Sequence, residues 1–117
     1  MPYIKSDDGR REALRNGKPA LIAGELNYQI FYYVKNHWNI IDEIDKKKVK
    51  DFVDKFLSEK RNYQKYNDMT GALIRCYVEI KRRLNIDADY LIEICASYDD
   101  EIAKYEDLKI IENGDVE

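Results

Sequence analysis

The sequence predicts an all-α fold: a small helical bundle of about four main helices, with short extended segments at the N- and C-termini. Three observations predict it. Apolar side chains recur every three or four residues in four separate stretches, the spacing that gathers them on one helix face. Asp, Asn and Gly stand at the ends of those stretches, where caps and stops belong. Charged residues make up 37% of the chain, enough to cover the outward faces of such helices.

The first nine residues read as extended. Pro2 disfavours helix at Met1, and Asp7, Asp8 and Gly9 are turn residues. Asp7 or Asp8 can cap a short helix over residues 8–16 with Ala13 and Leu14 inward, stopped by Asn16 and Gly17. The first strong segment runs from Glu25 to Trp38, with Leu26, Ile30, Tyr33, Val34 and Trp38 as its stripe. Glu25 there complements the positive end of the helix dipole. Ile40 and Ile41 read as a short extended link.

Asp42 or Asp45 is placed to cap a second main helix over 46–60, whose seam is Val49, Phe52, Val53, Phe56 and Leu57. A third covers 63–84, with Tyr66, Met69, Leu73, Cys76, Tyr77, Ile80 and Leu84 inward. Gly71 inside it implies close approach of another backbone. A fourth is expected over 88–105, started by Asp87 or Asp89, with Leu91, Ile92, Cys95, Tyr98 and Ile102 inward. Residues 108–116 change character: β-branched residues precede Asn113 and Gly114, a hairpin signal. They predict an extended tail that pairs with Tyr3 and Ile4. With 117 residues and no linker or repeat, one domain spanning 1–117 is expected.

The net charge of −3 is unevenly spread. Residues 1–86 carry 18 Lys and Arg against 12 Asp and Glu, whereas residues 87–117 carry 2 against 11. The acidic segment is therefore expected to pack on the basic body or on a neighbouring subunit. Cys76 and Cys95 lie outside any CxxC or Cys/His cluster and read as small buried hydrophobes. No stretch approaches the roughly 18 apolar residues of a membrane span. The N-terminus lacks a basic stretch followed by an apolar run. A cytoplasmic protein without membrane contact is the expectation.

No catalytic, metal-binding or cofactor-binding motif emerges. His37 is the only histidine and has no Cys, Asp or Glu at ligand spacing on its helix. A di-iron bundle would need Glu-x-x-His, which is absent. The five glycines are scattered, so no phosphate loop forms. Basic clusters are a stronger lead: Lys46, Lys47, Lys48 and Lys50, then Lys81, Arg82 and Arg83, with tyrosines between them. Such residues neutralise phosphates while aromatics stack on bases. Ten tyrosines are also present, and Tyr28, Tyr32 and Tyr33 on one helix cannot all face one core. Some of them are expected at a subunit contact, most simply in a homodimer.

Four blocks resemble a small family of uncharacterised prokaryotic and phage-associated proteins, a domain of unknown function. They are the opening Met1, Pro2, Tyr3 and Ile4, and the run Gly24, Glu25, Leu26, Asn27 and Tyr28. Next come Tyr66, Asn67, Asp68, Gly71, Leu73, Cys76 and Glu79 with Arg82 and Arg83. The last is the ending from Tyr105, Glu106 and Asp107 through Lys109 and Ile110 to Glu112, Asn113, Gly114, Asp115 and Val116. The resemblance implies a compact accessory protein and names no reaction. Residues 84–104 stand out as an extra helix against its pattern. The matching blocks offer Glu25, Asn27, Tyr28, Asn67, Asp68, Asn113 and Asp115 as a polar network or ligand site.

These readings converge on a non-catalytic, homo-oligomeric helical binding or assembly protein that needs no cofactor. Nucleic-acid binding by the basic helix faces is the alternative, and a metal-dependent hydrolase is a third.

Overall fold

The structure, a computed structural model, describes residues 9–37, 43–58 and 61–114. They form six helices and no strand: α1 (Gly9–Arg15), α2 (Ala23–His37), α3 (Glu43–Ser58), α4 (Tyr63–Leu84), α5 (Asp89–Ala96) and α6 (Asp99–Asn113).

The longest of them, α4, has 22 residues and so runs about 33 Å. Asn62 caps its start by accepting the Lys65 amide at 2.8 Å. Asn85 ends it in the left-handed region, φ 55°, donating its amide to the Lys81 carbonyl. The boundaries are those the periodicity predicts. Tyr66, Met69, Leu73, Cys76 and Ile80 are buried, and α4 touches α2, α3, α5 and α6. On α2, Leu26, Ile30 and Val34 are fully buried, and α3 adds Val49, Val53, Phe56 and Leu57. Gln29 fastens α1 and the loop after it: its Nε2 donates to the carbonyls of Leu14 and Lys18 at 2.8 and 2.9 Å. Gly17, at φ 92°, makes the turn expected after α1.

Several expectations are corrected. The helix expected over 88–105 is two helices, because the chain turns at Ser97 and Tyr98. The Ser97 hydroxyl donates to the Ile94 carbonyl at 2.6 Å, and the Tyr98 hydroxyl donates to Asp54 on α3. Three carboxylates, Asp99, Asp100 and Glu101, then occupy the first turn of α6, where the dipole favours them. Residues 108–113 continue α6 and are not extended. Isoleucine costs only tenths of a kcal/mol in a helix, whereas an unpaired strand leaves its ladder groups unsatisfied. Gly114, φ 84°, stops the helix with its amide on the Ile110 carbonyl, so Asn113 and Gly114 act as a helix stop. Asp45 lies inside α3 rather than capping it, and the Tyr33 hydroxyl donates to it at 2.6 Å. Asp42, the link at Ile40 and Ile41, and the pairing strand at Tyr3 and Ile4 fall outside the described residues.

Among the described residues nothing lies within 4 Å of where a Gly71 Cβ would stand, so none of their backbone approaches it. It sits on an exposed strip of α4 beside Ile74 and Val78. Gly71→Ala is expected to raise the unfolding free energy by about 0.5–1 kcal/mol in urea titrations, since alanine restricts the unfolded chain without a clash. Leu73→Ala, at a fully buried position, is expected to cost about 2–5 kcal/mol in the same titration.

Candidate functional site

The proposed polar residues divide into separate places. Glu25, in the first turn of α2, receives Arg10 through both oxygens, from Nε at 2.7 Å and Nη2 at 2.8 Å. It also accepts the Leu21 amide at 2.9 Å. The Arg10 guanidinium holds the Glu25 carboxyl below its ordinary pKa, with burial opposing. Arg10 Nη2 reaches the Pro19 carbonyl as well, so this pair clamps the loop between α1 and α2. The Tyr28 hydroxyl accepts from Arg15 Nε at 2.7 Å. Asn27 is buried, and its backbone carbonyl accepts the Cys76 thiol at 3.9 Å.

Asp68 accepts from Gln64 one turn earlier on α4. Asn67 is exposed, and Asn113 donates to the Lys109 carbonyl at the far end of α6. Asp115 is outside the described residues. No hydrogen bond among the described residues joins two members of this set. Three buried polar atoms lack a hydrogen-bond partner among those residues: Asn27 Oδ1, Gln29 Oε1 and the Tyr90 hydroxyl.

The basic clusters also separate. Lys46, Lys47 and Lys50 line a hollow of about 470 Å³ between α3 and α5, with Tyr90, Glu93, Ile94 and Ser97. Lys50 lies 5.1 Å from the Tyr98 ring. Lys48 turns toward α2 and lies 5.4 Å from the Phe52 ring. Lys81 pairs with Asp87 at 2.9 Å. Arg82 pairs at 2.8 Å with Glu79, whose side chain is 2% exposed and also meets Arg75 at 3.5 Å. The Arg82 guanidinium keeps the Glu79 carboxyl below its usual range. Arg83 alone faces the groove along α1 and α2, its guanidinium 4.8 Å from the Phe31 ring.

A second polar cluster, absent from the sequence reading, joins α6 to the body. The Tyr66 hydroxyl donates to Glu101, and Arg61 pairs with the same carboxylate at 2.9 Å. The Tyr105 hydroxyl donates to the Arg61 carbonyl at 3.1 Å. The Tyr66 hydrogen bond, with Arg61 second, lowers the Glu101 pKa. Burial raises Tyr66, and Glu101 adds to it. Only the pairing of residues 35 or more apart reveals this cluster, so helical spacing gives no sign of it.

The chemistry on offer is modest. Among the described residues no group of three His, Cys, Asp or Glu could hold a metal ion, and no helix is long and apolar enough to cross a membrane. Burial raises the Cys76 thiol well above its ordinary value and pushes Cys95 up to about 11, with Asp99 adding to it. Both cysteines are unpaired thiols, and thiols held so high are poor nucleophiles. His37 stacks on Tyr33 at 4.1 Å and its Nδ1 donates to the Tyr33 carbonyl at 2.8 Å, closing the end of α2.

The described residues define an all-helical protein with hollows and paired charges on its surface. The chain belongs to a domain-of-unknown-function family, DUF6899, which matches residues 1–116. No curated protein and no solved structure matches it.

Glu25→Gln is expected to lower stability at pH 7 by about 1.5–3 kcal/mol, the range for hydrogen bonds to a charged group. Because the folded-state pKa is depressed, this contribution is full above the unfolded carboxylate pKa. It is lost as pH falls through the lower folded value. Urea midpoints of the two proteins should therefore converge in acid.

Proposed function

We propose that this protein is a non-catalytic assembly protein that works as a homo-oligomer, most simply a two-fold dimer. The chain acts in it as one domain. The observation that carries this reading is α6. It has 15 residues, none of them buried. Its first half is held by Glu101, Ile102 and Tyr105. Beyond Tyr105 it presents Leu108, Ile110 and Ile111, the last 79% exposed. A helix of this length is marginal in water unless an apolar face is packed, so a covering surface is required.

A second copy supplies that surface with matching charge. Across its length α6 carries six carboxylates against two lysines. The hollow between α3 and α5 is rimmed by Lys46, Lys47 and Lys50 and floored in part by Tyr90 and Ile94. Exchange of α6 between two copies uses the contact twice, as a closed two-fold interface does. Nucleic-acid binding through Lys46, Lys47, Lys48 and Lys50 together with Lys81, Arg82 and Arg83 has less support. Lys46, Lys47 and Lys50 line one hollow, Lys48 a second and Arg83 a third, while Lys81 and Arg82 are paired with carboxylates.

Light scattering on a sizing column is expected to give about twice the 13.9 kDa chain mass at micromolar concentration. Leu108→Glu with Ile111→Glu should give the monomer mass, with helical circular dichroism reduced by no more than the outer half of α6. A monomer for the unaltered chain at every concentration tested would refute the assembly.

A further inference from the structure

We propose that the groove along α1 and α2 is a binding site for single-stranded nucleic acid. It consists of two adjoining hollows, of about 280 and 250 Å³, that share Arg15, Tyr32 and Asn36 as walls. Cations and rings alternate along it. The Arg15 guanidinium lies 4.6 Å from the Tyr32 ring and 5.9 Å from Tyr28, and those two rings stack 6.0 Å apart. Lys35 and Arg83 rim one hollow, and Lys48 rims the other beside Tyr33 and His37. Among the described residues no carboxylate lines either hollow. Gln29, another wall residue, is 2% exposed and keeps an acceptor without a partner.

This alternation is what an unpaired strand needs. Phosphates take the cations, while bases stack on aromatic rings or on guanidinium planes. A duplex hides its base faces, so the rings favour a single strand. Each hollow is small for an organic ligand, at or below the usual lower bound of about 300 Å³. Two in a row suit consecutive nucleotides better than one enclosed molecule. The chain carries a net charge of −3, so attraction must come from the groove itself and must be sensitive to salt. The groove is distinct from the hollow proposed for dimer contact, and the two readings stand or fall separately.

The test is fluorescence anisotropy with a labelled 12-nucleotide mixed-sequence strand, as RNA and as DNA, and with the DNA annealed to its complement as a duplex, against the full chain at 50 and 200 mM salt. Neutralising three to five phosphates predicts a loss of affinity of about 20- to 130-fold between those salt levels. Lys35→Gln is expected to reduce the slope of log affinity against log salt by about 0.7, one phosphate contact. Arg15→Lys keeps the charge but loses the flat guanidinium, and is expected to weaken binding with the slope unchanged. Lys109→Gln, on α6, should bind like the unaltered chain. Circular dichroism confirms that each variant is folded. Four results would overturn the proposal: no anisotropy change at high micromolar protein, equal binding to the duplex, binding indifferent to both groove variants, or displacement of the strand by a nucleoside monophosphate at equal concentration.

Discussion

The packing of α2 against α4 is the contact on which the rest of the fold depends. The two helices share the largest contact in the molecule, and their facing stripes hold many of the fully buried side chains, among them Leu26, Ile30, Val34, Leu73 and Ile80. The Cys76 thiol lies 3.9 Å from the Asn27 main-chain carbonyl, close enough that a bulkier side chain at position 76 would push the helices apart. α3 and α5 are laid against this pair, and α1 is held by α2. Burial of this kind is worth about 25 cal/mol per Å² of apolar surface, so a continuous stripe on a 22-residue helix outweighs the weaker elements around it.

The polar groups are arranged around that contact. Among the described residues, Glu79 is the one carboxylate drawn almost wholly into the body, and it is held between Arg75 and Arg82. Gln29 ties α1 and its loop to α2 through two carbonyls. Several tyrosines take partners within the chain: Tyr28 with Arg15, Tyr33 with Asp45, Tyr98 with Asp54, Tyr66 with Glu101. A tyrosine-rich helix therefore does not by itself mark a subunit contact. In this chain its rings serve to pass polar links from helix to helix across an apolar interior.

The helices α1 to α4 were legible in the sequence because each has a stripe with the period of a helix and a residue that stops it. Where the reading failed, local pattern and tertiary setting disagreed. Residues 97 and 98 break a continuous stripe because Tyr98 is drawn toward Asp54, 44 residues away, which no periodicity can announce. The triplet Asp99, Asp100 and Glu101 was the available sign of a new helix start. Ile110 and Ile111 have strand character, yet with no strand beside them among the described residues the helix continues. The candidate site was less legible. Of the residues drawn from the shared blocks, Glu25, Tyr28, Asp68 and Asn113 each take a separate partner. The groove of Arg15, Tyr28 and Tyr32 arises from two helices that meet 13 or more residues apart. Of the basic positions read from the sequence, only Lys48 and Arg83 reach it.

The outer half of α6 is the one part of the described chain whose helicity the body does not explain. Its apolar side chains are turned to solvent, Leu108 at 54% exposure, and its carboxylates are opposite in charge to the hollow rimmed by Lys46, Lys47 and Lys50, which the proposed dimer would bring against it. Amide hydrogen exchange of residues 106–113, followed across protein concentration, tests this most directly. If a second copy covers the helix, those amides exchange fast in dilute solution and become protected as concentration rises, while the amides of α4 are unaffected. Equal protection at all concentrations would contradict it.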